Sequence, residues 1–292
     1  MRPIRIAAQL HPQHGTWPDL RAAALRSEEL GYDIVYTWDH FFPLYGPPDG
    51  PHFECWSILA ALAEATSRVE IGPLVACNSY RNPQYLADIV RTVDHISGGR
   101  VINGIGAGWF ERDYEEYGYE FGTIGSRITA LEGAIPLMLD RLAKLNPPPI
   151  RKVPLLIAAT GERRSLGLVA RYADGWHAKF PEHPSELEPK VAALRRFCDE
   201  IGRDPTEIEW GLGVEPEDLD RFLASDAPTL VEMGFSQFTL GFNGPDWVVD
   251  GGAPWLRWRD QLNVARRTTA ALIPESDAES MPRGDAEGDG AP

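Results

Sequence analysis

The sequence predicts an α/β fold, a (β/α)8 TIM barrel with insertion loops and a flexible C-terminal tail. Segments of strand character and segments of helical periodicity alternate eight times along the chain. With 292 residues, 43% of them hydrophobic, the chain can bury one large core. Barrels of this kind commonly fill about 250 residues. We therefore expect one barrel domain at residues 1–273 and a disordered acidic tail at residues 274–292.

The eight predicted strands are short apolar runs bounded by polar or glycine-containing turns. They cover residues 4–9, 34–37, 69–76, 101–106, 153–158, 174–178, 208–214 and 235–240. Because helical crossovers join successive strands, the strands should run parallel, with their carboxyl ends at one end of the barrel. Residues that directly follow the strands are therefore the candidates for a functional site.

The predicted helices lie between these strands. The clearest one begins after Asn82, which can cap free amide groups, and continues from Pro83 until Gly98. Further helices are expected near residues 18–30, 56–65, 126–142, 160–173, 185–201, 228–233 and 254–272, with Ser126 as an N-cap. Residues 109–125 are aromatic and acidic and are expected to form a long ordered loop over the active face. Residues 274–292 contain too little apolar sequence to order themselves.

Charge and cysteine content exclude several classes of partner. The net charge of −15 argues against binding to nucleic acid or to an anionic membrane, since both require a basic surface. Cys55, Cys77 and Cys198 are odd in number and widely spaced, which indicates neither a disulfide framework nor a thiolate metal site. The apolar run near the N-terminus is too short and polar for a signal peptide. A cytoplasmic protein is expected.

Two motifs carry a family resemblance. The stretch GPLVACNSYRNP at residues 72–83 precedes DHISGGRVINGIGAGWFERDYEEYG at residues 94–118. In this order they resemble the luciferase-like monooxygenase superfamily, in its F420-dependent oxidoreductase branch, and the similarity runs to about residue 272. The resemblance implies an enzyme that binds a deazaflavin, coenzyme F420. It also implies a small organic substrate and a homodimer.

The pair Asp39-His40 follows the second predicted strand. An imidazole at a strand end can act as an acid or base near neutral pH. The resemblance implies that Asp39 and His40 face the cofactor ring, with His40 as the catalytic residue. The structural alternative is that Asp39 fixes a loop and His40 is its satisfied partner.

The resemblance also assigns cofactor contacts to the third and fourth strands. Leu74 and Val75 correspond to a non-proline cis peptide that bulges against the cofactor ring in relatives. Cys77 and Asn78 lie near the place where relatives bind the cofactor tail. Glycines at alternate positions leave room for a flat ligand or for a close backbone approach; they are Gly104, Gly106 and Gly108.

A phosphate site is expected between the fifth strand and the next helix. Free amides and the positive end of a helix dipole favour an anion there, and the resemblance places a cofactor phosphate at the same point. The residues are Thr160, Gly161, Glu162 and Arg163.

Aromatic residues near the strand ends are expected to wall the substrate site and to exclude water. They are Trp38, Phe41, Trp109 and Phe110. Trp109 is a departure from the sugar-phosphate dehydrogenases of the branch, in which an acidic residue at this position is thought to protonate the cofactor. Indole cannot exchange a proton, so the chemistry of those enzymes does not transfer.

Three other functions remain open from the sequence. A luciferase-like monooxygenase that uses FMN is the nearest, because FMN and F420 share a tricyclic ring and a phosphate. A metal-dependent barrel hydrolase is disfavoured, since no HxH or HExxH spacing places two ligands on one element. A barrel that binds the cofactor without turnover is the third.

Overall fold

The computed structural model describes residues 2–179, 183–214, 220 and 222–271. Parallel strands form a barrel with helices around it. The strands are β1 (Arg5–Leu10), β2 (Ile34–Thr37), β3 (Glu70–Pro73), β4 (Ala76–Cys77), β5 (Asn103–Gly106), β6 (Leu155–Ala158), β7 (Gly175–Ala178), β8 (Glu209–Val214) and β9 (Phe235–Phe242). The tail predicted at residues 274–292 lies outside the described residues.

Parallel pairing runs around the sheet in the order β3-β2-β1-β9-β8-β7-β6-β5-β4. Because β3 and β4 are consecutive pieces of one strand, separated by Leu74 and Val75, the two ends of the sheet meet. An isolated parallel bridge between Ile71 and Val101 joins β3 to the start of β5. The predicted (β/α)8 barrel is confirmed, and its third strand is divided in two.

The helices are α1 (Trp17–Leu30), α2 (Cys55–Ala65), α3 (Pro83–Ser97), α4 (Glu111–Tyr117), α5 (Ile124–Lys144), α6 (Ser165–Tyr172), α7 (Glu188–Glu200), α8 (Ala227–Met233) and α9 (Ala253–Ala271). Helix α3 has the predicted ends. The Asn82 side chain accepts from the amides of Gln84 and Tyr85, and Gly98 ends the helix with a φ of 70°. None of the helices in the described ranges is long and apolar enough to span a bilayer.

The prediction for residues 109–125 was wrong. Instead of one loop, this stretch contains α4 and the start of α5. Helix α4 has acidic residues in its first turn and Gly118 at its C-cap, but it is too short to show an apolar period. Helix α5 is capped by Thr123, not by Ser126. Ser126 is the third residue of the helix, and its hydroxyl oxygen accepts from the Thr123 amide.

The barrel interior is filled in its middle by apolar side chains. Five buried side chains form an inner cluster, Ala7, Ile34, Tyr36, Ile102 and Leu156, with Leu74 and Val75 packed against it. At the N-terminal end Arg5 forms ion pairs with Glu70 and Glu209 beneath this cluster. A cavity of about 300 Å³ opens at this end, and the cluster residues Tyr36, Ile102 and Leu156 form its floor. The inner cluster therefore separates it from the opening at the carboxyl ends of the strands.

Glycines form the contact between β3 and β5. A Cβ at Gly72 would overlap the Ile102 carbonyl oxygen, and a Cβ at Gly104 would overlap the Pro73 carbonyl oxygen. Both collisions are with backbone atoms, which cannot rotate away. The barrel can close at this seam only where neither strand carries a side chain.

We predict that Gly104→Ala lowers the free energy of unfolding by about 1–3 kcal/mol, because the methyl group forces β3 and β5 apart. Urea unfolding followed by circular dichroism measures the change. Gly133→Ala is the matched control, since a Cβ at Gly133 has nothing within 4 Å. This exposed position in α5 should instead gain about 0.5–1 kcal/mol. Equal stability of Gly104→Ala and the wild type would contradict the packing at the seam.

Candidate active site

The carboxyl ends of the strands surround an opening that solvent reaches. Most strand residues are buried, but a ring of positions at this end is only half-buried: Gln9, Leu74, Val75, Ala158, His177, Gly213 and Gly241. Several are small, and a Cβ at Gly213 would have only the Thr239 carbonyl oxygen nearby, at 4.0 Å. The strand ends therefore form a concave mouth, the usual place for the active site of a barrel.

Leu74 and Val75 form a ridge at this mouth. The peptide bond between them is cis, as the resemblance implies. The Leu74 amide donates to the Thr37 carbonyl at 2.7 Å, and the Leu74 carbonyl accepts from the Gln9 side-chain amide at 2.8 Å. The ridge is thus fixed to β1 and β2 and rests on the inner cluster.

Gly106 lies against the ridge. A Cβ there would meet Val75 Cγ2 at 2.8 Å. Gly108 has a φ of +80°, and a Cβ at this position would overlap the Tyr114 hydroxyl. Gly106 and Gly108 therefore admit neighbouring side chains, and the close backbone approach that the sequence indicated is at Gly104.

Asp39 is a buried anchor, only 1% exposed. Both of its carboxylate oxygens accept from the Arg81 guanidinium, at 2.6 and 3.0 Å, and one also accepts from the Cys77 amide at 2.9 Å. Arg81 also pairs with Glu54 at 2.6 Å. Burial raises the pKa of Asp39, and the Arg81 charge opposes that shift. Asp39 thus ties the loop after β2 to β4.

His40 is held by a carboxylate that the sequence analysis missed. Its Nδ1 lies 2.7 Å from Oδ2 of Asp113, a fully buried residue of α4. Asp113 also accepts from the Phe41 amide at 3.0 Å and from the Tyr80 hydroxyl at 2.8 Å. With three donors converging on it, the carboxylate accepts from the His40 Nδ1–H. Nε2 has no hydrogen-bond partner within the described residues and is left for chemistry.

Three of the four predicted wall residues surround the His40 ring. The ring centroids of Trp38, Trp109 and Phe110 lie 5.9, 5.6 and 5.5 Å from it, each edge to face. Phe41 does not join them. Its ring stacks on Tyr117 at 4.0 Å, because its side chain leaves the backbone on the other side from His40. The wall is therefore Trp38, Trp109 and Phe110.

Two further imidazoles flank Trp38. His11 stacks on its indole at 4.0 Å and places Nδ1 2.8 Å from Asn243 Oδ1. His52 Nε2 accepts from the Trp38 Nε1–H at 3.0 Å. Burial lowers the pKa of His11 to about 4 and lowers the pKa of His52 to about 4, the latter with help from neighbouring His40. Both rings are neutral at physiological pH.

Cys77 and Asn78 differ in how they face the mouth. The Cys77 thiol points away from it, with Sγ 3.2 Å from the Tyr114 hydroxyl, and the residue is 5% exposed. Asn78 is half-buried and begins a single turn of 3-10 helix. Of the two residues predicted to bind the cofactor tail, Asn78 is the more accessible.

The predicted phosphate loop, residues 160–163, precedes α6. The Gly161 amide donates to the Ser165 hydroxyl at 3.0 Å, and Lys190 pairs with Glu162 at 3.1 Å. In the described residues the amides of Glu162 and Arg163 have no hydrogen-bond acceptor. These two N–H groups lie just before the helix N-terminus and are available to an anion.

His177 on β7 faces the mouth from the opposite side to His40. Its Nε2 is buried without a hydrogen-bond partner in the described structure. Burial lowers its pKa to about 4. Within the described residues, no three His, Cys, Asp or Glu side chains lie together so that they could hold a metal ion.

Comparison with known proteins places the chain in a family. A model of luciferase-like monooxygenases matches residues 1–216. The chain belongs to this family. The predicted recognition and the predicted enzyme class, an oxidoreductase, are confirmed.

Relatives and solved structures include both F420-dependent dehydrogenases and a monooxygenase. The F420-dependent glucose-6-phosphate dehydrogenase of Amycolatopsis mediterranei is 33% identical over 174 residues, which is 53% of this chain and 50% of that protein. The match thus spans half the length of that relative. An F420-dependent secondary alcohol dehydrogenase superposes with a TM-score of 0.72 at 20% identity, covering 86% of this chain and 97% of the other. Monooxygenase RslO1 of Streptomyces bottropensis superposes with a TM-score of 0.68 at 16% identity, covering 90% of this chain and 100% of the other.

We predict that the free energy of unfolding decreases as the pH is lowered, because of the buried imidazole of His177. Above about pH 6.5 His177 is neutral in both states. As the pH falls from about 6.5 towards 4, the unfolded chain binds a proton that the folded chain does not, so folding becomes less favourable. Between pH 7 and pH 5, the free energy of unfolding of the wild type should fall by about 1–2 kcal/mol more than that of His177→Gln. Urea unfolding at each pH measures it. His95→Gln, at an exposed position, is the control, and an equal slope for all three proteins would contradict the prediction.

Proposed function

We propose that the protein is an F420-dependent oxidoreductase that transfers a hydride between the deazaflavin and a small organic substrate. The observation that carries the proposal is the arrangement of the mouth. The 74–75 ridge separates the His40–Asp113 pair, next to β2, from the anion-accepting loop after β6. A planar ring with a phosphate-bearing tail is the ligand type that would use all three parts.

The residues present fit such a group. The ridge supplies a fixed apolar surface, and the small residues Ala158, Gly213 and Gly241 leave open space on the far side of the mouth. The two unpaired amides of the 160–163 loop suit a phosphate. Asn78, which is half-buried directly after β4, would hydrogen-bond the tail. Asp39 would act indirectly, by holding Cys77 and Arg81 below the ridge.

The bound deazaflavin would supply a carbon that accepts or donates a hydride. His40 would handle the proton, since Asp113 fixes its Nδ1–H and leaves Nε2 as the reactive nitrogen. Trp38, Trp109 and Phe110 would exclude water from the transfer. The resemblance matches Trp109 to an acid of the sugar-phosphate dehydrogenases, and indole cannot exchange a proton, so we assign that role to the adjacent His40.

Titration with F420 and FMN, followed by fluorescence, tests the cofactor. We expect F420 to bind at least about tenfold more tightly than FMN, a difference of about 1.4 kcal/mol. The rival is an FMN-dependent monooxygenase, which the fold similarity to RslO1 keeps open. Micromolar FMN binding without F420 binding would reject the proposal in favour of that rival.

We predict that Asp113→Asn lowers kcat by about 10²-fold or more, because the amide no longer fixes the Nδ1–H tautomer of His40. The dissociation constant for F420 should change by less than about threefold. Stopped-flow measurement of cofactor absorbance, with a substrate that supports turnover, gives both values. Asp49→Asn is the matched control, since this exposed carboxylate also bonds to α4, through Arg112, without touching His40. A barrel that only binds the cofactor would show no turnover before or after either change.

A further inference from the structure

The described wall of the substrate side carries hydrogen-bond acceptors and aromatic surface but no free positive charge. Resting on the proposed function, we infer that the substrate is an uncharged alcohol with an apolar body, or the corresponding ketone or aldehyde in the reverse direction. Sugar phosphates and hydroxy acids are excluded by the same features.

The imidazoles next to β1 and β2 present lone pairs. Because Nδ1 of His40 donates to Asp113, Nε2 is the ring nitrogen left to accept a proton from the substrate. Nδ1 of His11 donates to the Asn243 amide oxygen, which leaves its Nε2 without a proton as well. A hydroxyl group can donate to such a nitrogen. A phosphate or carboxylate would place its own lone pairs against it.

The same rim provides apolar surface for the substrate body. Trp109 is 62% exposed and Tyr45 is 58% exposed, although both lie in the aromatic cluster around Trp38 and His40. Large exposed aromatic side chains beside a buried reactive group are typical of a binding surface. An alkyl or aryl group would cover them and remove water from the reacting carbon.

The arginines near this rim are already bound. Arg81 is held by Asp39 and Glu54. Arg112 pairs with Asp49 and lies 4.0 Å over the Phe42 ring. Arg127 donates to the carbonyls of Gly108 and Phe121, and its guanidinium lies 4.0 Å over the Phe121 ring. None is free to bind a substrate anion.

The cations that lack an ion-pair partner in the described structure lie elsewhere. Arg163 is in the loop after β6, and Lys179 directly follows β7. In the order of strands around the barrel, β6 and β7 lie opposite β1 and β2. These charges therefore belong to the side proposed for the cofactor phosphate, and the substrate side is left neutral.

In the oxidative direction the alcohol carbon would release its hydrogen with both electrons to the oxidised deazaflavin. The hydroxyl proton would move to His40 Nε2 as the carbonyl double bond forms. Reduction of a ketone reverses both transfers. Asp113 stabilises the protonated ring, so the proton can leave the substrate without water at the site.

A substrate panel tests the inference with the full chain and F420. The compounds are 1-phenylethanol, 2-butanol, lactate and glucose 6-phosphate, with acetophenone as the reverse substrate for reduced F420. We expect kcat/KM for 1-phenylethanol to exceed that for either anion by at least about 100-fold. Comparable turnover of an anion overturns the inference. So does F420 binding with no turnover of any neutral compound. Absence of F420 binding, seen in the fluorescence titration alone, overturns the proposed function itself.

The variant Trp109→Ala tests whether Trp109 contacts the substrate or is only an exposed aromatic residue. We expect KM for 1-phenylethanol to rise by about tenfold, KM for 2-butanol to rise less, and the dissociation constant for F420 to stay within about twofold. Tyr85→Ala is the matched control, because Tyr85 is 63% exposed on α3, away from the mouth. Equal KM values for Trp109→Ala, Tyr85→Ala and the wild type would contradict the assignment of Trp109 to the substrate site.

Discussion

Two buried carboxylates hold the active end of this barrel together. Asp39 joins the loop after β2 to β4 through the Cys77 amide and Arg81. Asp113 joins α4, which follows β5, to the same loop after β2 and to Tyr80 after β4. Three neighbouring strand ends are thus linked by groups that lie in low dielectric. Removing one partner of such a buried charge typically costs about 3–5 kcal/mol, so these loops are fixed and not free to vary independently.

This linkage determines the chemistry that His40 can perform. A histidine on a free loop would sample both tautomers and several rotamers. Here the Asp113 carboxylate selects the Nδ1–H tautomer, and the edge-to-face contacts with Trp38, Trp109 and Phe110 restrict the ring. On the proposed function, His40 Nε2 is therefore preorganised, and little reorganisation is needed when a substrate binds.

The architecture could be predicted from the sequence because it depends on local patterns. Apolar runs, Asn82-Pro83 and Gly98 place β3, α3 and β5 within a few residues of their observed bounds. The alternate glycines also pointed correctly to a close backbone approach, which is the seam between β3 and β5.

The site was less predictable, since it depends on which side chains are buried. Asp113 lies among Glu111, Glu115 and Glu116 in a charged stretch, and only its tertiary contacts distinguish it from them. The one available signal was its place in the first turn of a short helix that ends at Gly118. Phe41 was assigned to the wall because it is aromatic and lies near a strand end, but its ring stacks on Tyr117 instead of on His40.

An acidic chain can hold an anionic cofactor only with short-range groups. At a net charge of −15 the protein repels anions at a distance, although salt screens exposed charges beyond about 8 Å. Close to the mouth, the nearby charges and amides decide whether an anion can bind. Lys190 neutralises Glu162, the neighbouring amides are free, and Arg163 and Lys179 add positive charge on the β6–β7 side. On the β1–β2 side His11 and His52 are neutral, so among the described residues that side has no comparable positive group for an anion. On the proposed function, this asymmetry orients the cofactor: its phosphate lies towards β6, so its ring must extend over the ridge to His40.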